Sequence, residues 1–234
     1  MFAVEGYMTT RHRQHSINLS ISASNKHRYS RKALYCCIDL ADRYLTAQPA
    51  KSQSEMTAVY IVCLYVGAKM EEVEFPCHRV YLSGTGIKLD QFVELEIKLL
   101  DHFDWRMNTV SIMTFFDMLA RSYKLCPRSL AFAQYIAEIM LYEYTYINLK
   151  KSHIAAGIFY LVLKLFFGLS WSKDLQIDTR YSKKQVLEAV SLITSTLNQF
   201  WSKDEKYQAN LNSRFSTEAF SHISEFRLVS KKIA

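Results

Sequence analysis

Lys69, Glu71 and Glu72, followed by Glu74 and Pro76, are the one place in this sequence where charges gather against a long apolar run. They end the stretch Ser54 to Glu72, SEMTAVYIVCLYVGAKMEE, in which only Thr57, Gly67 and Lys69 interrupt the apolar residues from Met56 to Met70. The contrast makes that end of the run the candidate site. Catalytic and metal-binding patterns are missing elsewhere. His12, His15, His27, His78, His102, His153 and His222 show no i, i+4 pairing with a carboxylate or Cys that would make a metal site, and no CxxC is present, which excludes a zinc ribbon on this chain. The Gly84 and Gly86 turn in SGTGIK is too short for a phosphate loop and lies between helices. Ser and Cys nucleophile contexts are absent, so the expectation is no enzyme, no metal and no cofactor.

The element that carries the candidate site reads as a helix apolar on every side, which has to be surrounded by other elements. At about 1.5 Å per residue it spans roughly 25 Å, the width of a small domain. With 234 residues, half of them hydrophobic, the chain can bury one large core or two smaller ones. Six Gly, three Pro and long apolar segments without turn signals point to an all-α protein. The net charge of +7 and pI near 9.1 come from dispersed charges, which fit a solvated face or an acidic protein partner better than a nucleic-acid footprint. The five cysteines, Cys36, Cys37, Cys63, Cys77 and Cys126, read as reduced core residues of a cytosolic or nuclear protein. Ile154 to Trp171 is nearly apolar over the minimum length of a membrane span, but Lys164, Gly157 and Gly168 favour a buried helix. The N-terminus shows no charged-then-apolar signal pattern.

The plan occurs twice. Ser54, Met56, Ala58, Ile61 and Leu64 recur at constant offset as Ser152, Ile154, Ala156, Phe159 and Val162. Arg31 to Leu45 parallels Ser129 to Glu143, and Asp90 to Phe103 parallels Lys184 to Leu197. Such duplication predicts two tandem helical units, each around a central buried helix. The expected divisions are residues 1–106, 107–204 and a tail over 205–234, with Thr109 capping the first helix of the second unit. Gln48-Pro49, Phe75-Pro76, Gly84-Thr85-Gly86, Cys126-Pro127 and the stretch from Gly168 to Tyr181 mark the loops.

From about Arg13 onward the chain resembles a cyclin, of the mitotic A/B type. The resemblance is carried by DLADRYL at 39–45, GAKMEEVEFP at 67–76, VELEIKLLDHFDW at 93–105, SHIAAGIFYLVLKLFFGLSW at 152–171 and KYQANLNSRFS at 206–216, in that order. It implies two cyclin boxes of five helices each, no enzymatic activity, and a cyclin-dependent protein kinase partner whose protein substrates the complex then serves. In that family a Lys in a K-x-E-E segment and a Glu on the last helix of the first box hold the kinase's regulatory helix; the matching positions are Lys69 and Glu94. Lys69 falls on Phe167 in the second repeat, so the charge is not a requirement of the fold. The bland alternative is an intramolecular salt bridge from Lys69 to Glu94 or Glu72. Glu71, Glu72, Val66, Met70, Phe103 and Trp105 are candidates for the surrounding contact area, although the apolar ones could equally be core.

The same resemblance implies that Asp42 is a buried acid paired with an Arg on the first helix. Gap-free counting gives Arg13, with Arg11 as the fallback. It also implies a substrate-docking patch for R-x-L motifs on the first helix. Here the patch reads His12, Arg13, Gln14, His15 and Ser16, with Leu19 and Ser22 where an aromatic residue and an acid are expected, so docking of that motif should be lost or nearly lost. Arg31 to Leu34 is an R-x-x-L inside a predicted helix, hence structural; members of the family usually carry a destruction signal in an N-terminal extension, and with this sequence starting almost at the first helix the expectation is either that turnover is signalled differently or that the sequence is a fragment or short isoform. The competing reading is a general transcription factor of the same two-box fold that grips DNA; no zinc ribbon and the presence of Lys69 and Glu94 weigh against it. Residence in nucleus and cytoplasm is expected, and a membrane or nucleic-acid partner is not.

Overall fold

The computed structural model describes residues 10–74, 77–83, 85–143, 147, 149–203 and 205–225, with backbone alone for 205–207. The expected punctuation at Phe75-Pro76 and Gly84 lies outside these residues. Among the described residues every regular element is helical. The chain divides into two compact units, Met1–Thr109 and Val110–Ala234. The first holds α1 (Thr10–His27), α2 (Arg31–Ala47), α3 (Gln53–Glu71), α4 (His78–Leu82) and α5 (Leu89–His102). The second holds α6 (Ile112–Ala120), α7 (Pro127–Met140), α8 (Lys151–Phe167), α9 (Lys173–Thr179), α10 (Lys183–Trp201) and α11 (Glu205–Phe215), then short 3₁₀ turns at Glu218–Phe220 and Ile223–Glu225. Helix α11 packs on α7, so the last segment belongs to the second unit.

Serines set several of the helix starts. Ser30 accepts from the Ala33 amide, Ser52 from Glu55 and Ser182 from Gln185, each satisfying a backbone donor that the first turn leaves open. Helix α6 is capped in this way by Ser111, which accepts from Thr114; Thr109, two residues too early, is not the cap.

The two apolar helices, α3 and α8, are the cores of their units. Helix α2 approaches α3 at Gly67, where a Cβ would stand 2.7 Å from the Ala33 carbonyl oxygen, so only glycine permits the approach. Helix α8 meets α10 at Gly157, where a Cβ would lie 2.8 Å from Cδ1 of Ile193 and 2.9 Å from Cβ of Ala189. Contrary to the sequence expectation, α3 is not enclosed all round: Thr57 and Ile61 are only half-buried because α1 beside them presents small residues such as Ser16, Ser20 and Ala23, and Ala58 is half-buried where it lines a groove toward α5. No helix among the described residues is long and apolar enough to cross a membrane.

A buried ion pair fixes the first unit. Arg13 Nε and Nη2 donate to Asp42 Oδ1 and Oδ2 at 2.8 and 2.7 Å, and the Tyr60 hydroxyl donates to Oδ1 at 2.8 Å, so α1, α2 and α3 share one polar node. Arg13 is 0% exposed. In the second unit the buried acid is Glu138 on α7, with Arg214 Nη1 of α11 4.0 Å away and its guanidinium 4.7 Å over the Phe220 ring.

The cysteines separate into two sets. Cys36, Cys37 and Cys63 are buried in α2 and α3, and burial raises the Cys36 thiol to about 12. Cys77 and Cys126 are free and exposed, which corrects their reading as core residues: both stand just before a helix, at the N-cap, where the chain is still at the surface.

Candidate functional site

The end of α3 forms the site with one flank of α5 and the outer side of α2. Lys69 Nζ, on a side chain 40% exposed, lies 2.8 Å from Glu96 Oε1 and 4.8 Å above the Tyr65 ring. Glu94 is not its neighbour. It pairs with Lys98 at 2.7 Å across one helical turn, both side chains more than half exposed, and lines a separate groove with Ser54 and Ala58. Two residues at about 100° each put Glu94 and Glu96 on opposite flanks of α5, which explains the exchange. The signal that could have found Glu96 is its place in the stripe Phe92, Glu96, Leu99, Phe103, an i, i+4, i+7 pattern whose other members are buried.

The remaining named residues divide by environment. Glu72 Oε1 accepts from the Ser30 amide at 2.7 Å, tying the end of α3 to the start of α2. Glu71 is exposed, Met70 is half-buried with its Sδ 3.9 Å from Cys36 Sγ, and Val66, 2% exposed, is core and unavailable for contact. Phe103 is covered by Arg43, whose Cζ sits 4.5 Å from the ring centroid and whose Nη1 lies 3.5 Å from Asp39. Sequence reasoning passed over Arg43 although it stands in the DLADRYL segment.

Trp105 is held outward by a strained turn. Asp104 and Trp105 both adopt left-handed backbone, with φ 48 and 61, while Trp105 N donates to Leu100 O at 3.0 Å and Asp104 N to Asp101 O at 3.1 Å. This is a Schellman closure of α5 built without glycine, a conformation that costs non-glycine residues on the order of 1–3 kcal/mol each. The indole is 67% exposed.

A second feature of the first unit is a groove of about 500 Å³ between α1 and α3, closed at one end by α4. Of the docking-patch residues, Ser16, Leu19 and Ser22 line it, while His12 and His15 do not and Arg13 is in the buried ion pair. Arg31 and Leu34 form the first turn of α2, with Leu34 fully buried and Arg31 Nη2 2.6 Å from Asn25 Oδ1. Among the described residues no cluster of His, Cys, Asp and Glu could hold a metal ion.

Two helical units of this kind, arranged around α3 and α8, carry the two halves of one family. The description "Cyclin, N-terminal domain" matches residues 1–108, and "Cyclin, C-terminal domain" matches residues 110–227. The chain belongs to the cyclin family. It is 26% identical over 207 residues to a G2/mitotic-specific cyclin-B of Hydra vulgaris, covering 87% of this chain and 56% of that protein. A G2/mitotic-specific cyclin-B2 of Bos taurus is 24% identical over 84% of this chain and 52% of its own length, so the chain spans about half the length of these relatives. Among solved structures, a viral cyclin from herpesvirus saimiri has TM-score 0.69 at 15% identity, covering 81% of this chain and 85% of that one. A chain of the CAK complex of Chaetomium thermophilum bound to ATP-gamma-S has TM-score 0.57 at 15% identity over 94% of this chain and 73% of its own.

Proposed function

We propose that this protein is the regulatory subunit of a cyclin-dependent protein kinase, of the B type that acts in mitosis, working in nucleus and cytoplasm wherever that kinase is. The observation that carries the reading is the Lys69–Glu96 pair at the end of a core helix, a charged ending whose counterpart in the second unit is Phe167. A surface ion pair is worth about 0–1 kcal/mol, so exchanging it for hydrogen bonds to a partner costs little. The ammonium offers three donors to carbonyl oxygens and the carboxylate accepts from amide N–H groups, a combination that grips the exposed end of a partner helix. Kinases depend on such a helix, since their catalytic Lys–Glu ion pair forms only when the regulatory helix is turned inward. Met70, Leu100 and Trp105 supply apolar area beside the pair, with Arg43, lying over the buried Phe103, at the rim. The competing reading, a DNA-gripping transcription factor, lacks a comparable observation, because the basic residues are dispersed along the sequence.

Affinity purification from a dividing-cell lysate followed by a kinase assay tests the reading. Recovery of active kinase is expected, and recovery of DNA and polymerase components without kinase overturns it. Lys69→Ala and Glu96→Ala should each weaken kinase binding by about 1.5–3 kcal/mol, roughly 10- to 150-fold, without altering the fold. Glu94→Ala should leave binding unchanged; the reverse pattern would return the site to Glu94.

A further inference from the structure

The second unit has an opening of its own, away from its central helix and unused in the kinase-binding reading. It is a groove of about 550 Å³ between α9 and the end of α6 with the turn after it. One wall is apolar. Met118 is 57% exposed, and Leu119 and Tyr123 are half-buried, the Tyr123 ring standing edge-on to the buried Phe159 at a centroid distance of 5.2 Å. The other wall is α9, whose one buried residue, Leu175, lies between Asp174 and Asp178. Beside Asp178, Ile177 is 74% exposed. Single apolar side chains at a surface need no explanation, but several that converge on a concave site do.

Stability does not account for the two aspartates. They stand at i, i+4 on one flank of α9, a spacing at which like charges oppose the helix, and Asp178 lies in the last turn, where the helix dipole disfavours an anion. No cation among the described residues is within ion-pair distance of either, and the neighbouring Arg121, Lys124, Lys173 and Arg180 do not line the groove. In a chain of net charge +7, a concave site lined by two carboxylates and no cation reverses the sign of the surface locally and selects a cationic partner.

The spacing selects the partner's conformation. One helical turn separates the carboxylates, about 6 Å along the axis. Two Lys or Arg at i and i+4 of a second helix laid alongside match that distance, and residues i+3 and i+7 then face the apolar wall. An extended strand matches it with residues i and i+2 but turns the residue between them away, which would leave the apolar wall bare. The groove takes the side chains along one face of such a helix and not its full width of about 10 Å.

We propose that the groove between α6 and α9 docks a basic amphipathic helix of a partner protein, its cation pair on Asp174 and Asp178 and its apolar edge on Met118, Leu119 and Tyr123. The inference does not rest on the kinase partner. The test is fluorescence anisotropy on the full chain, without kinase, using the labelled helical peptide Ala-Lys-Ala-Ala-Leu-Lys-Ala-Ala-Leu-Lys-Ala-Ala-Leu-Ala, a copy with Glu at every Lys, and a copy with Pro at the central Ala pair. A peptide held by overall charge alone would favour the Glu copy, since the chain is basic. Binding of the Lys peptide at least 10-fold tighter than either copy is expected. Asp174→Asn with Asp178→Asn should remove that preference while leaving the melting temperature unchanged, because both side chains are exposed. Equal binding of the Lys and Glu peptides, tighter binding of the Glu copy, equal binding of the Pro copy, no binding at all, or a preference that survives the double variant overturns the inference. Sedimentation of the chain alone completes the test: self-association lost in the double variant would assign the groove to a second copy and overturn it as well.

Discussion

In the first unit the central helix touches its neighbour backbone to backbone at Gly67, keeps a polar node of Arg13, Asp42 and Tyr60, and leaves one side of itself open. In the second the central helix meets side chains at Gly157, buries Phe159 among aromatics, and ends in Phe167 and a left-handed Gly168 instead of a cation. Both solutions bury one apolar helix inside a bundle, so whatever differs is free of the demands of that architecture. The differences in the first unit are its charges and its openings, the properties a binding surface needs. Those in the second are added aromatic contacts and a closing helix, α11, the properties of a support.

Three experiments would sharpen or break that contrast. The largest effect is expected from Arg13→Ala, which strips a buried carboxylate of its partner and should cost the first unit about 3–5 kcal/mol. Its nominal counterpart Arg214→Ala, which is partly exposed and 4.0 Å from Glu138, should cost on the order of 1–2 kcal/mol, mainly as lost cation–π contact. Urea denaturation of both variants checks the ranking, and equal losses would mean the two acids are equivalent after all. Next comes Gly67→Ala, where the added methyl meets a carbonyl oxygen that cannot turn aside. A loss of about 1–3 kcal/mol is expected by overpacking, and a smaller one for Gly157→Ala, where the tip of Ile193 can swing aside and the gain in helix propensity offsets part of the clash with the Ala189 Cβ at 2.9 Å. If calorimetry finds Gly157→Ala the more damaging, the distinction between backbone and side-chain contact is wrong. The smallest effect belongs to Ile61→Phe, which copies Phe159 into the open groove. Stability should change by less than about 1 kcal/mol, since the ring enters space and not packed atoms, and a larger loss would show the groove to be closed in solution.

The duplication was legible because the apolar pattern of α3 recurs in α8 at a constant offset, and burial follows directly from such runs. The Arg13–Asp42 pairing was legible as well, because no insertion disturbs the count from α2 back to α1. Glu96 was hidden by its neighbour: two acids two residues apart fit the same segment, and only the buried stripe of Phe92, Leu99 and Phe103 says which of them turns inward. Val66 was named a contact because an apolar residue near a charged helix end reads the same whether its face is covered or bare. The half-open side of α3 escaped notice for a related reason. An apolar helix announces that it wants partners, while the small serines of α1 that leave it uncovered are a property of a different segment. Ser111 was missed in favour of Thr109 since either residue can cap, and the choice depends on where α6 takes up helical backbone.

The turn that holds Trp105 outward also makes the first unit report on itself. Trp105 is its sole tryptophan; Trp171, buried with its Nε1 donating to the Tyr181 carbonyl, and Trp201 both lie in the second unit. All three indoles are excited together, but Trp105 is the most exposed of them, so its share of the emission should lie at the longest wavelength and be the most open to acrylamide. A partner that covers the end of α5 would move that emission to the blue and shield it, whereas a peptide in the groove between α1 and α3 would leave it alone. The protein thus distinguishes its two surfaces optically, without a label on either.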